Sequence, residues 1–189
     1  MATSEVGIAN RALQKLGAGR ISSLSQDHPN ARSMNAAYAL VRDAEIRRYD
    51  WAFAIKRASI AADGDDTLYG DFNRFSLPND YLRILLDPED QSVVDWRIEG
   101  LHIVTKDAAP LEIRYIARIE DPNFYDSLFI EALACKLALE TCEDVTGSTS
   151  KKESVKDDYG FAVAEAKRLG SIERAEQDHP DDEWLEARL

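Results

Sequence analysis

The chain has 189 residues, 44% of them hydrophobic and 31% charged, and its 35 acidic against 23 basic side chains give a formal charge of -12. Those proportions describe one acidic domain of ordinary globular composition, long enough to bury a core without disulfide or metal staples. They exclude a protein that grips nucleic acid by neutralising phosphates; no stretch approaches the roughly 20 apolar residues of a membrane span, and MATSEVGIANRALQ has no basic start followed by an apolar run, so no secretory signal is expected.

In chain order, Ser4 is placed to cap a first helix over about 4 to 16, with Val6, Ala9, Leu13 and Leu16 at helical spacing and Gly17 as its terminator. A Ser- and Gly-rich connection leads to a second helix over about 30 to 49, with Met34, Ala37, Tyr38, Val41 and Ala44 expected on its inner side. The alternation of Trp51, Phe53 and Ile55 with Ala52, Ala54 and Lys56 predicts an extended segment, and Tyr81 to Leu86 predicts a short buried strand. VVDWRIEGLHIVT predicts a hairpin turning at Glu99-Gly100. In LEIRYIARI, Leu111, Ile113, Tyr115, Ala117 and Ile119 form the expected buried face of a strand, with Glu112, Arg114, Ile116 and Arg118 on the other.

Asp121-Pro122 is a cap followed by proline and predicts a third helix over about 122 to 144. Ser150 and Glu153 form a capping box for a fourth, about 150 to 172, with Val155, Tyr159, Ala162, Val163, Ala166 and Leu169 as its stripe. The order predicts an α+β fold: an antiparallel bundle of about four helices with an antiparallel β subdomain, about 51 to 119, inserted in it. Residues 1 to 177 make a single domain, and 178 to 189 form an acidic C-terminal tail whose Trp184, Leu185 and Leu189 need something outside the core to dock on.

Candidates for chemistry are sparse. His28, His102 and His179 fall in three different elements, without metal-ligand spacing. Cys135 and Cys142 lie seven apart on a helix, with Cα atoms roughly 10 Å apart, too far for a bridge, so reduced thiols and a cytosolic history are expected. Gly17-Ala18-Gly19 ends a helix and lacks the Lys-Ser/Thr of a phosphate loop. The acidic groups Asp65-Asp66 and Asp181-Asp182-Glu183 are expected to be solvated charges, and a magnesium-dependent nuclease rests on them alone. No enzyme activity, cofactor or metal is expected.

The charge distribution is more informative. Residues 1 to 60 hold nine basic and five acidic side chains, and residues 61 to 126 hold six and fifteen. Arg42, Arg47, Arg48, Lys56 and Arg57 concentrate around the end of the second helix; its dipole favours cations there by about 0.3 to 1 kcal/mol each, and an acidic partner, such as a second copy of the chain, is the alternative explanation.

Four separated motifs resemble one family. These are Ala-Leu-x-x-Leu-Gly-x-x-x-Ile from Ala12, Arg-Asp-x-x-x-Arg-x-x-x-Trp-x-Phe-Ala at 42 to 54, Leu-Pro-x-Asp-Tyr-Leu-Arg at 77 to 83, and Ile-Arg-Tyr-Ile-Ala-Arg at 113 to 118. Together, over about Val6 to Gly147, they resemble the tail tubular protein A family, the head-to-tail adaptors of short-tailed bacteriophages. The resemblance implies a virion structural protein without enzymatic activity, assembled in the host cytoplasm. It would form a ring of twelve copies between the portal protein and a tail nozzle of the tail tubular protein B type, with double-stranded DNA passing through and no membrane involved. On that reading Arg42, Arg47, Arg48, Lys56 and Arg57 are candidate subunit contacts, and Trp184, Leu185 and Leu189 are candidate portal contacts. The lumen is expected to be acidic or mixed, since every phosphate contact made would have to be broken. A monomeric acidic binding protein, such as a DNA mimic or regulator, is the alternative reading.

Overall fold

Ser4 begins the first helix as its position predicts, its side chain accepting from the Gly7 N–H at 3.1 Å. In the computed structural model, which describes residues 3–64, 72–85 and 96–172, the helices are α1 (Glu5–Leu16), α2 (Pro29–Arg48), α3 (Ser127–Thr146) and α4 (Thr149–Ile172). Between α2 and α3 run β1 (Ile55–Ile60), β2 (Asn73–Ser76), β3 (Tyr81–Leu85), β4 (Arg97–Glu99), β5 (His102–Thr105) and β6 (Leu111–Ala117). The fold is α+β, as the order of elements predicts.

α3 is the axis of the helical layer. Its consecutive residues Ala132, Leu133, Ala134 and Cys135 are all buried, and at 100° per residue four in a row cover the whole circumference. α1, α2 and α4 pack around it. Arg11 and Lys15 of α1 clasp Glu131 of α3 at 3.0 and 2.6 Å. The N-terminal end of α3 is seated by aromatic rings: Phe129 meets Trp51 at 5.0 Å, Phe53 at 4.9 Å and Tyr125 at 5.1 Å between centroids. Edge and tilted pairs of this kind add about 0.5 to 1.5 kcal/mol each beyond the area they bury.

The strands form two antiparallel sheets of three, ordered β1-β6-β3 and β2-β5-β4. β4 and β5 make the expected hairpin, with Glu99 opposite His102 and Gly100 at φ 64° in the first turn position, where a side chain would be strained. Beyond β1 the chain crosses from the first sheet to the second, where Ala62 bridges Phe75 and the Asp63 N–H donates to Arg74 at 2.7 Å. Phe75, Leu77 and Ile103 of the second sheet close on Ile113, Tyr115 and Ala117 of β6, forming a core of their own. The layers are therefore helices, first sheet, second sheet.

Several expectations are corrected. The segment from Trp51 is not extended: Ala52–Ala54 form a 3-10 turn and the strand begins only at Ile55, because Trp51 and Phe53 both turn into the aromatic group on Phe129. Ile116, assigned to the outward face of β6, is 0% exposed, since that face meets the helices as β6's other face meets the second sheet. Pro122 starts a 3-10 turn capped by Asp121, and α3 begins later with Asp126 accepting from Leu128 and Phe129. Ser148, not Ser150, caps α4 by accepting from the Lys151 N–H at 3.3 Å. On α2, Ala44 is exposed, while Arg42 and Glu45 are buried.

Candidate functional site

The junction of α2 with the first sheet collects most of the charged side chains singled out by their sequence positions. α2 ends with the Glu45 carbonyl accepting from Trp51 Nε1 at 2.9 Å, which satisfies an end-of-helix acceptor and turns the chain towards β1. Arg47 donates from Nη1 to the carbonyl of Leu82 on β3, and Arg83 of β3 pairs with Asp50 just past α2. Arg118, beyond β6, bonds Asp43 of α2 at 2.8 Å.

The five basic candidates divide sharply. Arg42 is 6% exposed, its Nε on Asp43 at 2.8 Å and its other nitrogens near Glu120 at 3.8 Å and Glu5 at 4.0 Å. Within the subunit it joins α1, α2 and the segment after β6. Arg48 bonds the Tyr159 hydroxyl at 2.8 Å and lies 3.7 Å from the Glu45 carboxylate. Tyr159 in turn donates to Glu45 Oε2 at 2.8 Å; burial and the neighbouring carboxylate push its phenol up, so it stays protonated as a donor. Glu45 is 1% exposed and its Oε1 has no hydrogen-bond partner, so this group fastens α4 to α2.

Lys56 bonds Asp80 at 2.7 Å, and Asp80 also accepts from the Tyr115 hydroxyl at 3.0 Å. Burial opposes ionisation of Asp80, but these two donors outweigh it and hold the carboxyl below its ordinary value; burial and Asp80 push the Tyr115 phenol up to about 12. The basic first third and the acidic middle of the chain thus neutralise one another in part inside the subunit, through Lys56 with Asp80 and Arg42 with Glu120.

Arg57 remains outward, and Arg47, though exposed, turns its guanidinium onto the Leu82 carbonyl. Arg57 sits directly opposite Arg114 in the β1–β6 register, and among the described residues neither has a carboxylate partner. Like charges facing across a sheet cost roughly 0.2 to 1 kcal/mol. Arg114 was not singled out from the sequence, because only the register brings it beside Arg57. Leu40, 75% exposed, and Phe161, 77% exposed, were missed as well; their signal is an apolar residue lying off the buried stripe of its helix.

The remaining candidates have structural roles or lie elsewhere. Trp184, Leu185 and Leu189 fall outside the described residues, as do His179, Asp65, Asp66, Asp181, Asp182 and Glu183. His28 caps α2, its Nδ1 accepting from Asn30 at 3.2 Å. His102 lies 3.7 Å from Asp63. Cys135 and Cys142 are buried on α3. Gly17 terminates α1 at φ 72°. Among the described residues no group of three His, Cys, Asp or Glu side chains is placed to hold a metal, and no helix is long and apolar enough to cross a membrane. No family model matches the chain, and no curated protein matches it.

Proposed function

We propose that the chain is a head-to-tail adaptor of a short-tailed bacteriophage, a non-enzymatic ring subunit, twelve copies to a ring, between portal and tail nozzle. The observation that carries this reading is the convergence of its motifs. Residues 42 to 54, 77 to 83 and 113 to 118 are far apart in sequence, yet Arg47 meets Leu82, Asp43 meets Arg118, Asp50 meets Arg83 and Asp80 meets Tyr115 at one junction. Residues chosen by a shared architecture, rather than by local helix or strand formation, are expected to meet in this way. The last residue of the first motif, Ile21, is held by the side chain of Asn10, just before the motif, through both its backbone N–H and carbonyl, at 2.8 and 2.9 Å, folding the Gly17 turn back on α1.

In this role the subunit needs rigid layers and outward-facing contacts, not a reactive centre. Trp184, Leu185 and Leu189 dock on the portal, and DNA passes a lumen of acidic or mixed charge without being read. Light scattering of the full chain with and without portal rings from its virion tests the reading: the complex gains the mass of a second ring. Portal rings that gain no mass overturn it. Deleting residues 178 to 189 tests the tail, with loss of portal affinity expected and unchanged affinity removing the tail from the interface.

A further inference from the structure

Two helix faces lie open on the subunit. On α2, Ala36, Leu40 and Ala44 stand one turn apart, all exposed. Arg47 continues that row and is also exposed; among the described residues its guanidinium has no carboxylate partner, its bond being to the Leu82 carbonyl. On α4, Phe161 is central to the face opposite Val155, Val163 and Ala166, which are buried. Asp157 and Glu165 stand one turn to either side of Phe161, exposed, and neither forms an ion pair among the described residues. A single exposed Leu or Phe requires no explanation. Here the two faces complement each other in shape and sign: small residues flank Leu40 and leave room for a ring, and the cation at the end of one row answers the carboxylates beside the other.

We propose that the α4 face of one subunit docks on the α2 face of a second copy, Phe161 seating between Leu40 and Ala44 with a carboxylate of α4 over Arg47. The spacing allows it. From a seat midway between Leu40 and Ala44, Arg47 lies about 7.5 Å along the axis, and Phe161 is four residues, about 6 Å, from Asp157 on one side and Glu165 on the other, a difference that the long arginine side chain spans. A carboxylate therefore reaches Arg47 whichever way the helices run. Ridges of large side chains entering grooves beside small ones are the general mode of helix packing. Because the two faces differ, the contact is heterologous: it propagates from copy to copy and closes if the rotation permits. The pairing deepens the ring reading and rests on it for closure alone.

The test uses two full-length variants, Leu40→Cys and Phe161→Cys, mixed and mildly oxidised; native Cys135 and Cys142, 1% and 0% exposed, stay out of the reaction. The mixture is expected to give a disulfide-linked dimer at least about tenfold above either variant alone, as a contact between unlike faces requires. Adding Arg47→Glu to the first variant lowers the yield roughly fivefold, and Asp157→Lys with Glu165→Lys in the second restores it. Three results overturn the proposal: equal linking within each single variant, which indicates a same-face dimer; linking only after residues 173 to 189 are deleted, which indicates that the chain's own terminus covers a face; or no linking up to about 1 mM protein. Portal binding does not enter this measurement. Linking without portal binding sinks the adaptor reading and leaves the docking, and portal binding without linking does the reverse.

Discussion

The helical core and the β core share a strand but are built unequally. The helical one draws buried side chains from all four helices and from β3 and β6, with an aromatic group at its centre. Among the described residues the β core consists of Phe75, Leu77, Ile103, Ile113, Tyr115 and Ala117, and it borrows one wall, β6, from the first sheet. A layer that borrows a wall is expected to open before the layer that owns it, so local stability should fall from helices to second sheet.

The largest test of that contrast is a pair of truncations at side chains that are both 0% exposed. Phe129→Ala should cost about 3 to 5 kcal/mol in chemical denaturation, because it empties the centre of the aromatic group and the seat of α3. Phe75→Ala removes the same atoms from the smaller core, and amide exchange should accelerate in β2, β4 and β5 while α3 stays protected. Equal loss of protection in both layers under Phe75→Ala would remove the hierarchy.

A middle-sized effect probes how α4 is held. Tyr159→Phe leaves the buried Glu45 without its hydroxyl donor at 2.8 Å, and a buried acceptor so deprived costs about 1 to 3 kcal/mol. Denaturation should register that loss, with α4 exchanging faster than α1. Adding Glu45→Gln should recover part of it, because a neutral amide oxygen deprived of that donor costs less than a carboxylate; no recovery would mean that the ring's packing, not the hydrogen bond, fastens the helix.

The smallest effect is a pH dependence at the clasp between α1 and α3. Hydrogen bonds from Arg11 and then Lys15 outweigh burial at Glu131 and hold its carboxyl below the ordinary value. A carboxyl depressed on folding adds stability above its unfolded range and loses it as pH falls through the folded value, so the α1–α3 clasp should fade below about pH 4. Glu131 is partly exposed, and the contribution should stay under about 1 kcal/mol. Glu131→Gln should lower stability at pH 7 and flatten the acid limb of the stability curve; an unchanged acid limb would assign that limb to other carboxylates.

Much of the fold is legible in the sequence because it is decided within a few residues. Ser4 and Gly17 bound α1 through bonds that span one turn. Gly100 opens the two-residue turn of the β4–β5 hairpin, one position later than the expected Glu99-Gly100 centre, because glycine accepts a left-handed φ. The candidate site is legible only in part. A concentration of basic residues after α2 is plain in the sequence, but whether each faces solvent depends on partners far along the chain: Glu120 and Glu5 with Arg42, Asp80 with Lys56.

The sequence by itself determined the α+β order of elements, the ends of α1, the hairpin turn and the basic and acidic division of the chain, since caps, turns and charge act locally or sum without geometry. Tertiary structure alone decided that Ile116 is core, that Arg42 and Glu45 are buried, and that Arg57 faces Arg114. The physical reason is one and the same: period-two and helical patterns show which residues share a face, but only packing shows how many faces of an element are covered. β6 is covered on both sides and α3 all round at residues 132 to 135, while the outer faces of α2 and α4, with Leu40 and Phe161, are left open.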